Sequence, residues 1–125
     1  MLVSISSFGQ NETGYSYKIH SHNDYMRDVP FWEAYANKAS SIEVDIVLKN
    51  DTLYVAHETE SINSKKTLKA LYLKPISKAF SLSDRKRSNI QLLVDLKNKP
   101  YATLEKLIIL FKEYKFLLKT GDKKG

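Results

Sequence analysis

The sequence predicts an α/β domain, and three observations carry that expectation. Apolar or β-branched runs alternate with amphipathic stretches in the order β, α, β, β, α, β, α, the series produced by parallel strands with crossover helices. Polar residues gather at the C-terminal ends of the apolar runs, the edge where parallel α/β folds build active sites. With 125 residues, 42% hydrophobic and 11% aromatic, the chain can bury one core but not two.

Each element has a local cause. Tyr15 to His20 reads as a strand between Gly14 and the polar His22-Asn23-Asp24. Pro30 suits the first turn of a helix over Phe31 to Lys38. Ser41 to Leu48, apolar at Ile42, Val44, Ile46 and Val47, is a second strand. Lys49-Asn50-Asp51 then turns the chain into a third, Thr52 to His57, so that the two form a hairpin. Thr67 to Phe80 carries a helical pattern interrupted or kinked at Pro75. Ile90 to Lys97 looks like a strand buried on both faces. Pro100 precedes an amphipathic helix, Tyr101 to Tyr114, and Phe116 to Lys119 reads as one further short strand.

Residues 1–14 are expected to lie outside this domain, which spans 15–125. Leu2 to Gln10 is weakly apolar and resembles the tail of a secretory signal without its basic segment, which implies a periplasmic or secreted protein. The alternative is a disordered leader on a cytoplasmic one. The absence of Cys rules out a disulfide framework without fixing the compartment.

A formal charge of +6 calls for an anionic partner. Nucleic acid fits poorly: Lys65-Lys66, Arg85-Lys86-Arg87 and Lys119 to Lys124 are separate clusters, and no aromatic RNA-binding motif, Cys/His finger or helix-turn-helix pattern accompanies them. A phosphodiester small molecule, a phospholipid head group or an anionic membrane surface touched peripherally explains the charge with less machinery.

The chemistry is concentrated in His20-Ser21-His22-Asn23-Asp24-Tyr25, in Glu43-Val44-Asp45 and in the lone His57. Side chains two apart on a strand share a face, so Glu43 and Asp45 point into one space. Hard oxygen donors of this kind suit Mg²⁺ or Ca²⁺, whereas three His and no Cys argue against a structural zinc site. Asp95, ending an apolar strand, needs a partner, because an unpaired buried carboxylate is costly. A cation shared with Glu43 and Asp45 would serve, and so would Lys97.

Plainer readings stand beside these. His57 alone fits a hydrogen-bonded strand-end histidine. Glu43 and Asp45 fit the solvated face of an amphipathic strand with Ile42, Val44 and Ile46 inside. Asp95 and Lys97 fit a structural ion pair, and Tyr25, Phe31 and Trp32 fit core or helix-packing positions.

Taken together, the motifs resemble the phosphatidylinositol-phospholipase-C-like phosphodiesterase superfamily, which includes the glycerophosphodiester phosphodiesterases. Ser21-His22-Asn23-Asp24-Tyr25 is similar to the segment that supplies the first catalytic histidine and an Asn metal ligand in the phospholipases C. Glu43-Val44-Asp45 is similar to the Glu-x-Asp metal pair, His57 to the second histidine, and Asp95-Leu96-Lys97 to the third acidic ligand with its lysine.

The resemblance runs from about Ile19 to Leu118. It implies the N-terminal portion of a TIM-type (β/α)8 barrel, a fold usually of about 200 residues or more, here apparently cut short at roughly half. It also implies a metal-dependent phosphoric diester hydrolase acting on lipid-like or glycerophosphodiester substrates. In that reading Asn23, Glu43, Asp45 and Asp95 hold Mg²⁺ or Ca²⁺, His22 and His57 exchange protons, and Lys97 binds a phosphate oxygen. His20 competes with His22 for the first role, and the Asn neighbour favours His22. The alternatives are a truncated, inactive remnant and a basic module that binds anionic lipid or polyanion without turnover.

Overall fold

The computed structural model describes residues 1–7, 19–82 and 90–117. Five strands form one mixed sheet: β1 (Leu2–Ser7), β2 (His20–Ser21), β3 (Ser41–Lys49), β4 (Thr52–Val55) and β5 (Ile90–Leu96). Its order is β1-β5-β3-β2, with β4 also pairing with β3. β2, β3 and β5 run parallel, as expected of a crossover series; β1 and β4 are antiparallel.

β3 is the hub. One edge pairs with β5, setting Asp45 opposite Asp95. The other edge is divided: Ser41 and Ile42 pair with β2, and Ile46 to Lys49 pair with β4. The β3–β4 hairpin turns at Asn50 and Asp51, both at positive φ (50° and 63°), as a two-residue type I′ connection requires.

Three helices pack on one face: α1 (Trp32–Ala36), α2 (Lys74–Leu82) and α3 (Pro100–Phe111). Ile42, Val44 and Ile46 of β3 and Ile90, Leu92, Val94 and Leu96 of β5 join Phe31, Tyr72, Ile76 and Leu107 in a single core. Each large apolar side chain so buried contributes about 1.5–3 kcal/mol. Alternation sends Glu43, Asp45 and Asp95 to the opposite face. Only part of the β5 expectation holds: Ile90, Leu92, Val94 and Leu96 are buried, but Gln91, Leu93 and Asp95 are half-buried.

Leu2–Ser7, expected in a leader, enters the sheet instead, pairing along the whole of β5. The physical reason is the edge itself, since unpaired backbone N–H and C=O groups on β5 are best satisfied by another strand. The expected helix over Thr67 to Phe80 exists but its first part, Lys69–Leu73, is a π-turn closed by Lys74 N–H donating to Lys69 C=O. Pro75 has no N–H to give to Leu71 four residues back, and the widened turn accommodates that loss.

Phe116 and Leu117, expected in a short strand, belong to the tight helical segment Lys112–Leu117 that follows α3, past a kink at Tyr114 (φ −123°, ψ 25°). The expected strand residues 15–18, the remaining leader residues 8–14, the basic turn 83–89 and the positions from 118 onward lie outside the described residues.

Candidate active site

Carboxylate oxygens of Glu43, Asp45 and Asp95 lie within 4.8 Å of one another. Parallel register brings Asp45 beside Asp95, and the period of two puts Glu43 on the same face. Asp45 is buried, its side chain 2% exposed, while Glu43 and Asp95 remain half-buried. Burial of Asp45 removes the solvated-face reading for that residue.

The charges are partly balanced. Lys97 Nζ is 3.0 Å from Asp95 Oδ2, and the Met1 ammonium is 3.6 Å from Asp95 Oδ1. The carboxylate of Asp95 holds the Lys97 ammonium above the ordinary lysine range. The strand end that carries Lys97 is fixed: Lys97 N–H donates to Ile46 C=O, and the Asn98 amide both accepts from Leu48 N–H (2.9 Å) and donates to Leu48 C=O (3.0 Å).

Two histidines meet the cluster from different loops. His57 follows β4, where Ala56 N–H donates to Asp45 C=O, and its Nδ1 lies 2.9 Å from Asp45 Oδ2. A carboxylate only accepts, so Nδ1 carries the proton and Nε2 faces outward on a side chain that is 62% exposed. His22, in the turn after β2, places Nδ1 3.4 Å from Glu43 Oε1 and is equally exposed.

His20 also reaches Glu43, at 3.6 Å through Nε2, but its Nδ1 is engaged by Ser41 Oγ at 2.6 Å. Among the described residues, His22 Nε2 has no protein partner. It is therefore the histidine of the pair with a ring nitrogen open to solvent. Asn23 sits beside it at φ 48°, lining with Met26, Arg27, Asp28 and Glu33 an open cleft of about 550 Å³.

One participant escaped the sequence reading. Tyr25, expected in the core, donates its phenol proton to Asp45 Oδ2 at 2.5 Å, the same oxygen that His57 uses. Burial first, and then the Asp45 carboxylate, push the Tyr25 phenol above the usual tyrosine range, so it stays a donor. The available signal was its place at the end of the Ser21–Tyr25 motif, where its distance from Glu43 and Asp45 in sequence hid the contact.

Residues 12–90 match the AIM6-like phosphodiesterase domain family. The chain belongs to that family. The family match takes in His20, His22, Asn23, Glu43, Asp45 and His57, and it ends at the first residue of β5, before Asp95 and Lys97. It bears out the phosphodiesterase-like part of the resemblance and does not select the phospholipase C or glycerophosphodiesterase type within it.

Similar proteins include an altered inheritance of mitochondria protein 6 homolog from Arthroderma benhamiae, 47% identical over 64 residues, covering 46% of this chain and 20% of that protein. Altered inheritance of mitochondria protein 6 from Eremothecium gossypii is 32% identical over 106 residues, 80% of this chain and 25% of its own length. Its namesake from Kluyveromyces lactis is 43% identical over 61 residues, 46% of this chain and 15% of its own. The chain thus spans a quarter or less of these curated relatives. No solved structure matches.

Proposed function

We propose that this chain carries the catalytic groups of a divalent-cation-dependent phosphodiesterase acting on lipid-like or glycerol-type phosphodiesters. One observation supports the reading most: three carboxylates converge within 4.8 Å, and two exposed histidines each contact a different member of that cluster. Glu43, Asp45 and Asp95 present only hard oxygen donors, which fits Mg²⁺ or Ca²⁺. Such an ion would neutralise phosphate charge and lower the pKa of a nearby hydroxyl.

The chain's own groups do the rest. His22 and His57, approaching from separate loops, divide the work of base and acid: one removes the proton of the attacking hydroxyl and the other protonates the departing oxygen. Asp45 keeps His57 in the tautomer whose Nε2 faces the substrate, and Tyr25 holds the shared oxygen in place. Lys97, paired with Asp95 at 3.0 Å, would meet a phosphate oxygen.

The same reading takes β2, β3 and β5 as consecutive strands of a (β/α)8-type barrel. Their parallel order, with helices on one face and acidic groups on the other, supports it.

The test is hydrolysis of an aryl phosphodiester by the protein with Mg²⁺ or Ca²⁺, before and after chelation. Activity that disappears with chelator and falls about 100-fold or more in His57→Ala is expected. Turnover indifferent to both, or none at all, overturns the assignment.

A further inference from the structure

Behind the candidate site lies a carboxylate that the chemistry above does not use. Asp24 is fully buried. Burying a carboxylate is costly unless strong donors surround it, and here they do. Oδ1 accepts from Ser21 Oγ at 2.6 Å; Oδ2 accepts from the backbone N–H of Phe31 and from Tyr72 Oη, each at 2.6 Å. Arg27 Nε lies 3.9 Å from Oδ1 and donates to Ser21 Oγ at 3.1 Å. One side chain thus joins the end of β2, the approach to α1 and the π-turn ahead of α2.

The segment it closes is strained. Asn23 has φ 48° and Phe31 has φ 65°, ψ −57°. Trp32 N–H donates to Pro30 C=O at 2.7 Å, so Phe31 sits at the centre of a γ-turn of the rare hand. Left-handed backbone at non-glycine residues is unfavourable and persists only where surrounding contacts dictate it. Asp24 supplies one such contact, directly to the Phe31 N–H.

Tyr72 belongs to the π-turn Lys69–Leu73. Tightening that turn to an α-helical register would rotate the residues ahead of it by about 100°, taking the phenol away from Asp24. Pro75 disfavours that tightening.

We propose that Asp24, clamped by Tyr72 and Ser21, is a positioning residue that holds the His22–Asn23 turn in the one orientation in which His22 faces both Glu43 and substrate. The kinetic part of this inference rests on the phosphodiesterase reading; the geometric part stands without it. Asp24 contacts none of the three clustered carboxylates, and its partners come from elements other than those that carry them. Its loss should therefore misplace His22 and leave cation binding by those three carboxylates intact.

The experiment uses Tyr72→Phe and Ser21→Ala in the full chain, each deleting one donor with little change in shape. Readouts are kcat and KM on an aryl phosphodiester with Mg²⁺, Mn²⁺ binding, and side-chain NMR of isotopically labelled histidines. The expected result is kcat lower by about tenfold or more, with KM and Mn²⁺ affinity within about twofold. The His22 resonance should broaden or double while that of His57 stays single.

Wild-type kcat with an unchanged His22 signal in both variants overturns the proposal. So does equal disturbance of His22, His57 and Mn²⁺ binding, which marks general loosening. Should Tyr72→Phe fail to fold, Ser21→Ala decides by the same criteria. If the parent protein shows no hydrolysis, the phosphodiesterase reading falls, and the His22 signal still decides whether Asp24 positions the turn.

Discussion

Replacing Glu43 by Gln should stabilise the cation-free protein and abolish its response to cations. Carboxylate charges 4.8 Å apart repel by about 3.5 kcal/mol at an effective dielectric of 20, and closer atoms repel more. Glu43 takes part in two of the three pairings. Against this gain stand its contacts with His20 and His22 and its half-exposure, which screens the repulsion. The net gain should be about 1–2 kcal/mol, several degrees in the melting temperature of a domain this size. With a divalent cation the order reverses: at about 100 times its Kd a ligand adds about 2.7 kcal/mol to the parent, and the variant, missing a ligand, should gain little. Thermal melts with chelator and across a Mg²⁺ or Ca²⁺ titration measure both effects. A Gln variant that melts lower in chelator, or that keeps the parent's cation shift, would refute the reasoning.

Two further outcomes follow from local geometry. Burial and the Asp24 carboxylate raise the Tyr72 phenol above its ordinary range. Its contribution to stability is therefore complete below about pH 10, where free tyrosine titrates, and declines as pH rises from there toward the folded-state value. Melts from neutral to alkaline pH should show this decline, and Tyr72→Phe should flatten it. At the hairpin, Asp51 holds φ 63° in a position that favours glycine, and its carboxylate pairs with Lys106 at 3.1 Å; Asp51→Gly combined with Lys106→Ala should be more stable than Lys106→Ala alone by about 0.5–1 kcal/mol in urea unfolding, without affecting cation binding.

Most of the fold was legible because strand patterns and turn chemistry agreed locally. Asn50-Asp51 marked the hairpin, and Ile42, Val44 and Ile46 marked the buried face of β3. Leu2–Ser7 was not legible as a strand, since its partner is β5, far away in the sequence, and nothing in its own composition distinguishes it from a leader. Pro75 signalled a disturbance, but whether the helix would break or widen depended on packing that places Tyr72 in the core.

In the site, residue types identified Glu43, Asp45, Asp95, His22 and His57 as candidates, and the sheet register brings the acids together. Tyr25 and Asp24 were harder to read. Both sit in the same motif as His22, yet their partners, Asp45 and Tyr72, are distant in sequence.

The divided edge of β3 also sets an order of events during synthesis. β3 and β4 are joined by a two-residue turn and can pair as soon as both have left the ribosome, bringing His57 to Asp45 while the rest of the chain is still being made. Asp95 arrives only after α2 and the segment beyond it. A nascent chain released just past His57 would own both histidines and two of the three acids, yet would lack the triad. The third carboxylate is contributed by β5, the strand between β1 and β3, so the acidic cluster is complete only once the centre of the sheet is in place.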